Sequence, residues 1–129
     1  MRDASEEAGA LAGITVIDLT RLLPGPLATK HLAEMGATVL KVEGPARDGQ
    51  EDGTRHMGLT RADREAGRPS LTFRWLNEGK QLREIDLRSD SGRAELLELL
   101  RGADLVVEGF RPGVMDKLGL GWSTLHALN

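Results

Sequence analysis

No cysteine occurs in the 129 residues. That removes disulfides, thiolate chemistry and cysteine-based zinc sites, and it suits a reducing compartment, so cytoplasm is the default expectation. Charge of one sign is lacking too: 17 basic and 20 acidic side chains leave a formal −3, and no block of Lys or Arg offers the field that nucleic acid needs. Long apolar runs are absent, none approaching the roughly 18 residues of a membrane span. The opening MRDASEEAGA has neither the apolar core of a signal peptide nor the arginine-rich, acid-poor character of a transit peptide. The expectation is one soluble domain with no nucleic-acid or membrane partner, able to bury roughly two-thirds of the surface its unfolded chain exposes. Residues 1–10, small and polar, are read as a disordered tail.

What is present is organised around residues 11–43, LAGITVIDLTRLLPGPLATKHLAEMGATVLKVE. Ile14, Val16, Ile17 and Leu19 make a β-branched run too short for a helix, and Thr38 to Val42 make another. Between them Ala28, Leu32 and Met35 mark an apolar helical stripe that Pro26 can open and Gly36 can close. Residues 44–70 read as a long charged loop with five acids, five arginines and no apolar period. Leu71, Phe73, Trp75 and Leu76 suggest a short helix, and Arg83 to Leu87 a short strand. Ser89 or Ser91 can cap a helix carrying Leu96, Leu97, Leu99 and Leu100, with Gly102 at its end. Asp104 to Glu108 has the pattern of a buried parallel strand. Pro112 starts a short helix through Leu118, and 123–129 begins another. Strands alternating with helices predict an α/β fold with an open, mostly parallel sheet and flanking helices, whose ligands collect beyond the carboxyl ends of the strands.

Four carboxylates sit near those ends: Asp18, Glu43, Asp86 and Glu108. They could form an acid cluster, but accepting hydrogen bonds from loop amides is the simpler role, and without a histidine among them no metal site is expected. Glu43 lies where a dinucleotide-binding acid would sit, yet the preceding turn has only Gly25 between Pro24 and Pro26, and neither proline has an N–H to offer a phosphate. The turn from Glu108 to Lys117 is more informative. Phe110 could stack a purine, Arg111 and Lys117 could neutralise phosphates, and Arg88 adds a third cation at the same edge. His31, His56 and His126 have no partner at nucleophile or ligand spacing.

At these residues the sequence resembles the family III CoA-transferases, the group that includes the α-methylacyl-CoA racemases. The opening unit is similar to that family's amino-terminal signature, and NEGKQLREIDLRSDSGRAELLELLRGADLVVEGFRPGVMDKLGLGW is similar to its next block. The resemblance covers about residues 11–129 and implies a Rossmann-like, CoA-binding part of the family's large domain, incomplete as it stands. It implies coenzyme A, as acyl-CoA, for the site and no metal. Arg21, Leu23 and Pro24 match family residues that line the CoA, Ile85 and Arg88 match a pair at its adenosine end, and Gly109, Phe110, Val114 and Lys117 match the second turn and its helix. Many relatives carry an arginine where this chain has Gly44, and Arg47 or another arginine of the loop is the candidate replacement. Pro24 and Gly109 look like the racemase branch. Catalysis in the family uses residues beyond Asn129: an aspartate in transferases, a His/Asp pair in racemases. The expectation is therefore the amino-terminal portion of an enzyme that moves CoA between carboxylic acids or racemises α-methylacyl-CoA. Alone it would be inactive, and as a full-length protein it would be a homodimer. The alternative is a non-catalytic CoA-binding or interaction module, with an NAD-binding domain a third reading.

Overall fold

In the computed structural model, which describes residues 8–129, the two apolar runs form β1 (Thr15–Asp18) and β2 (Thr38–Glu43), joined by helix α1 (Pro24–Glu34). The later elements are α2 (Arg61–Ala66), α3 (Leu71–Leu76), β3 (Gln81–Glu84), α4 (Asp90–Arg101), β4 (Leu105–Val107), α5 (Val114–Lys117) and α6 (Trp122–Leu128). The sheet order is β3-β2-β1-β4, and every pairing is parallel. Each strand-to-strand connection contains helix, as parallel pairing requires. Ser89 caps α4 by accepting from the Gly92 amide.

Strand alternation splits the interior into two layers. Ile17, Leu19 and Val42 meet Ile85, Leu96, Leu100 and Leu120 in the larger core. Val16, Ala37 and Val39 form the smaller one with Leu32 and Ala33 of α1. By the same period of two, the face of Val16 and Val39 also carries Asp18, Lys41 and Glu43, and Asp18 and Lys41 are both 0% exposed. Their burial is matched by partners. Asp18 accepts from the Thr20 and Thr29 hydroxyls and from Lys80 Nζ, and Glu43 accepts a bidentate pair from Arg55, whose guanidinium also lies 4.0 Å from the Phe73 ring centre. No buried polar side-chain atom among the described residues lacks a partner, which is the condition under which such charges are tolerated inside.

Four sequence expectations are corrected by these contacts. Helix α1 starts two residues earlier, at Pro24, and turns Pro26, Thr29 and Lys30 inward, leaving Ala28 and Met35 exposed. The 2.5 Å bond from Thr29 Oγ1 to Asp18 and the bond from Lys80 Nζ to the Pro26 carbonyl set its rotation, because a charge-assisted bond outweighs burial of an alanine. Residues 44–70 are not a structureless loop. They hold two 3₁₀ turns, Ala46–Asp48 and Gly53–His56, and α2, whose Thr60 and Asp63 form a reciprocal capping box. Most charged side chains of this stretch serve as caps or ion-pair partners. Strand β3 begins two residues before the expected Arg83 to Leu87 run, ends at Glu84, and is exposed throughout, because it is a sheet edge. Strand β4 is the other edge, with Leu105 43% exposed, so it is not the buried strand its apolar run suggests.

Residues 1–7 of the expected tail lie outside the described residues. Gly9 sits against Met35 and Gly36, where a Cβ would come within 2.2 Å of the Met35 carbonyl oxygen. No helix among the described residues is long and apolar enough to cross a membrane.

Candidate functional site

Because all four strands run the same way, their carboxyl ends share one edge, and the turns leaving them enclose two adjoining hollows. The first, about 310 Å³, is lined by Leu19 and Arg21 after β1, Gly44 and Gln50 after β2, Ile85, Leu87 and Arg88 after β3, and Phe110, Val114 and Leu118 after β4. The second, about 530 Å³, lies between the Thr20–Gly25 turn and Val107 to Phe110. Leu19, Arg21 and Phe110 line both, so the hollows form one cleft with an apolar floor.

Of the residues singled out in sequence, Arg21, Pro24, Ile85, Arg88, Gly109, Phe110 and Val114 come together in this cleft. Leu23, Arg111 and Lys117 line neither hollow. Leu23 is 56% exposed as the residue before α1. Arg111 is exposed in the turn before α5, and Lys117 ends that helix, three positions from Val114, so the helical repeat sets it beside that cleft residue. Gly113 begins α5 with φ of 84°, a left-handed angle that suits glycine.

The cations divide sharply. Arg55, Arg68, Arg74, Arg83, Arg93 and Arg101 are all paired with carboxylates, as are Lys30, Lys41 and Lys80. Among the described residues, Arg21, Arg88, Arg111 and Lys117 make no salt bridge, and all four lie on the turns around the cleft or on α5. Arg64, in α2, is the one other unpaired cation of the described residues. Positive charge therefore collects where the apolar floor opens, and that arrangement favours an anion with a flat apolar portion.

The four strand-end carboxylates do not form a cluster. Asp18 accepts from Thr20, Thr29 and Lys80, Glu43 from Arg55 and the Asp52 amide, Asp86 from the Arg88 amide, and Glu108 from the Phe110 amide. Glu43 is thus committed to Arg55 and is not free to bind a ribose. No group of three metal-ligating side chains is found among the described residues. His31 pairs with Glu34, His56 with Glu51, and His126 stacks on Trp122.

Burial drives the Lys80 ammonium below its ordinary value against the opposing pull of Asp18, and the hydrogen bond to Glu43 raises the Arg55 guanidinium further. The Thr60 hydroxyl and Arg68 hold the Asp63 carboxyl well below the usual range. None of these groups lines the cleft described above.

Two features were not legible in the sequence. Gln50 lines the first hollow and packs on Gly44, where a Cβ would fall 2.2 Å from Gln50 Cβ, so the space an arginine would need at position 44 is already filled. Arg47, the expected substitute, pairs with Asp48 at 3.7 Å and lines neither hollow. Leu22 has φ of 68°, and no other non-glycine among the described residues has a positive φ. Nothing in the leucine itself announces that angle.

The sequence profile of CoA-transferase family III matches residues 11–129. An acyl-CoA transferase of Fusarium pseudograminearum is 41% identical over 133 residues, covering 100% of this chain and 28% of that protein. The acetyl-CoA:oxalate CoA-transferase of Acetobacter aceti is 40% identical over 121 residues, covering 94% and 29%. Among solved structures, a CAIB/BAIF family protein from Brucella suis superposes with a TM-score of 0.83 at 34% identity, covering 95% of this chain and 32% of the other. Rv3272 from Mycobacterium tuberculosis gives 0.79 at 37% identity, covering 95% and 32%. The chain thus spans about three-tenths of the length of the proteins it matches.

Proposed function

The chain belongs to CoA-transferase family III, and from that premise we propose that its cleft is the CoA-binding part of an enzyme that moves CoA from an acyl-CoA to a carboxylic acid acceptor. The observation that carries this reading is the set of cations without carboxylate partners, Arg21, Arg88, Arg111 and Lys117, arranged around an apolar floor. Coenzyme A offers a flat purine, a phosphorylated ribose and a diphosphate. Phe110 supplies a face for the purine, walled by Ile85 and Val114, while the four cations neutralise the phosphates. The second hollow, between Pro24 and Gly109, is the onward path for the acyl-bearing arm. What these residues contribute to the reaction is binding and orientation, which restricts the thioester to a reactive geometry before chemistry begins. No residue of the chain is assigned the role of nucleophile.

Transfer is favoured over racemisation because the relatives named above that carry an activity are transferases. In keeping with the family, the whole protein is proposed to be a homodimer and to work in the cytoplasm. Calorimetric titration tests the site. CoA should bind more tightly than NADH, and Arg88→Ala and Lys117→Ala should each weaken CoA by about tenfold or more, since a contact to a charged group contributes about 1.5–3 kcal/mol. Unchanged CoA affinity in both variants, or tighter NADH binding, would overturn the assignment.

A further inference from the structure

Among the described residues Arg21 is the one cation that lines both hollows, and the peptide groups on either side of it are held from beneath by a buried ion pair. Lys41 Nζ donates to the Thr20 carbonyl at 3.0 Å, which belongs to the peptide preceding Arg21. Asp52 Oδ1 accepts from the Leu22 amide at 3.1 Å, which belongs to the peptide following it. Lys41 and Asp52 are joined at 2.7 Å, and both side chains are 0% exposed. Asp52 is fixed in turn by the Thr54 amide and hydroxyl, at 3.0 and 2.8 Å, and its own amide donates to Glu43. Burial alone would raise the Asp52 carboxyl, but Lys41, Thr54 and the Leu22 amide together hold it below its ordinary value, so it stays ionised.

The residue gripped by Asp52 is the one with the left-handed backbone, Leu22, at φ of 68°. An L residue with a Cβ adopts that angle only where its surroundings impose it. A buried ion pair is weak support for stability in itself, because apolar residues of similar volume pack as well or better. Here, however, an apolar replacement would leave the Thr20 carbonyl and the Leu22 amide without these partners. The pair therefore has a role that apolar residues could not fill.

We propose that Lys41 and Asp52 are positioning residues, a buried clamp that holds both peptides of Arg21 and aims its guanidinium into the cleft for the anionic part of the ligand. This rests on the reading of the cleft as a CoA site and extends it to two residues that line neither hollow. Neither would touch ligand; both act through the turn.

The test is calorimetric titration of the protein with CoA. If the wild-type protein does not bind CoA, the reading of the cleft fails, and the clamp fails with it as a device of that site. If it binds, Arg21→Ala should lose about tenfold in affinity. The double variant Lys41→Met/Asp52→Leu, which removes both charges while keeping the branching of each side chain, should keep a cooperative thermal transition and lose about as much. Adding Arg21→Ala to that double variant should then change little, a non-additivity that a merely structural role would not produce. A folded double variant with wild-type affinity, or full additivity with Arg21→Ala, overturns the clamp. A second pair of variants does not depend on the double variant folding. Leu22→Ala and Leu22→Gly lose the same exposed side chain but differ in backbone freedom. With the clamp in place the two bind CoA within about twofold of each other, because Asp52 and not residue 22 sets the angle. Markedly weaker binding by the glycine variant shows that the turn is not clamped.

Discussion

Replacing Gly25 with alanine should loosen the first turn at the edge where the cleft lies. A Cβ there would fall 2.3 Å from Thr20 Cβ and 2.5 Å from Thr20 Cγ2 and Oγ1, whereas ordinary contact begins near 3.4 Å. Thr20 has little room to retreat. It is 3% exposed, and its hydroxyl donates to Asp18 at 2.5 Å. Moving it by roughly 1 Å disrupts a bond to a charged group, a loss of about 1.5–3 kcal/mol, and overpacking adds about 1–3 kcal/mol. Helix propensity returns up to about 1 kcal/mol, since position 25 lies in α1. The net destabilisation is about 2–5 kcal/mol, and at a urea slope of about 1–3 kcal/mol per molar it lowers the unfolding midpoint by about 1 M or more. Gly102→Ala is the matched control: φ there is −101°, and no heavy atom lies within 4 Å of a Cβ, so its midpoint should stay near that of the wild type. If the two variants unfold at the same urea concentration, the close approach of Gly25 and Thr20 does not support the turn and the reasoning is wrong.

Lys41→Met alone strands the Asp52 carboxylate in the interior, at a cost of about 3–5 kcal/mol, whereas Lys41→Met/Asp52→Leu should recover only part of it in the same urea titration, because the Thr20 carbonyl and the Leu22 and Thr54 amides then lose their partners. The folded-state carboxyl of Asp52 lies below its ordinary value, so its stabilising contribution is complete above about pH 4, near the unfolded value, and is lost as pH falls through the folded one. Melting temperature measured from pH 7 down to pH 2 should therefore fall on the acid side, and Asp52→Asn should flatten that limb; equal acid slopes in the two proteins would show that Asp52 does not carry the dependence. Ser89→Ala removes the acceptor for the Gly92 amide and should cost about 1 kcal/mol by chemical denaturation, whereas Ser91→Ala, which caps nothing in α4, should be nearly neutral. Equal losses for the two serines would contradict the assigned cap.

The local grammar of the chain was legible from residue order alone. The β-branched runs around Val16 and Val39, the serine before α4, the glycine after it and the apolar face at Leu96 and Leu100 all act over a few residues, and they placed the strands, the helices and the carboxyl-edge turns that enclose the cleft. Arg21, Arg88 and Phe110 were found because a turn leaving a strand is a recognisable stretch of sequence. Tertiary structure alone decided the rest, because it depends on residues far apart in the chain. Asp18 draws Thr29 and, across 62 positions, Lys80, so α1 meets the sheet through Thr29 together with Leu32 and Ala33, while Ala28 and Met35 of the expected stripe stay exposed. Lys41 and Asp52, 11 positions apart, meet only when the charged stretch after β2 folds back on the sheet. Residues 44–70 carry their charges without an apolar period, and a charge becomes a cap, a buried partner or a solvated side chain according to what lies opposite it. That is why the turn bearing Arg21 was visible in the sequence, while the ion pair beneath it became visible only in the folded chain.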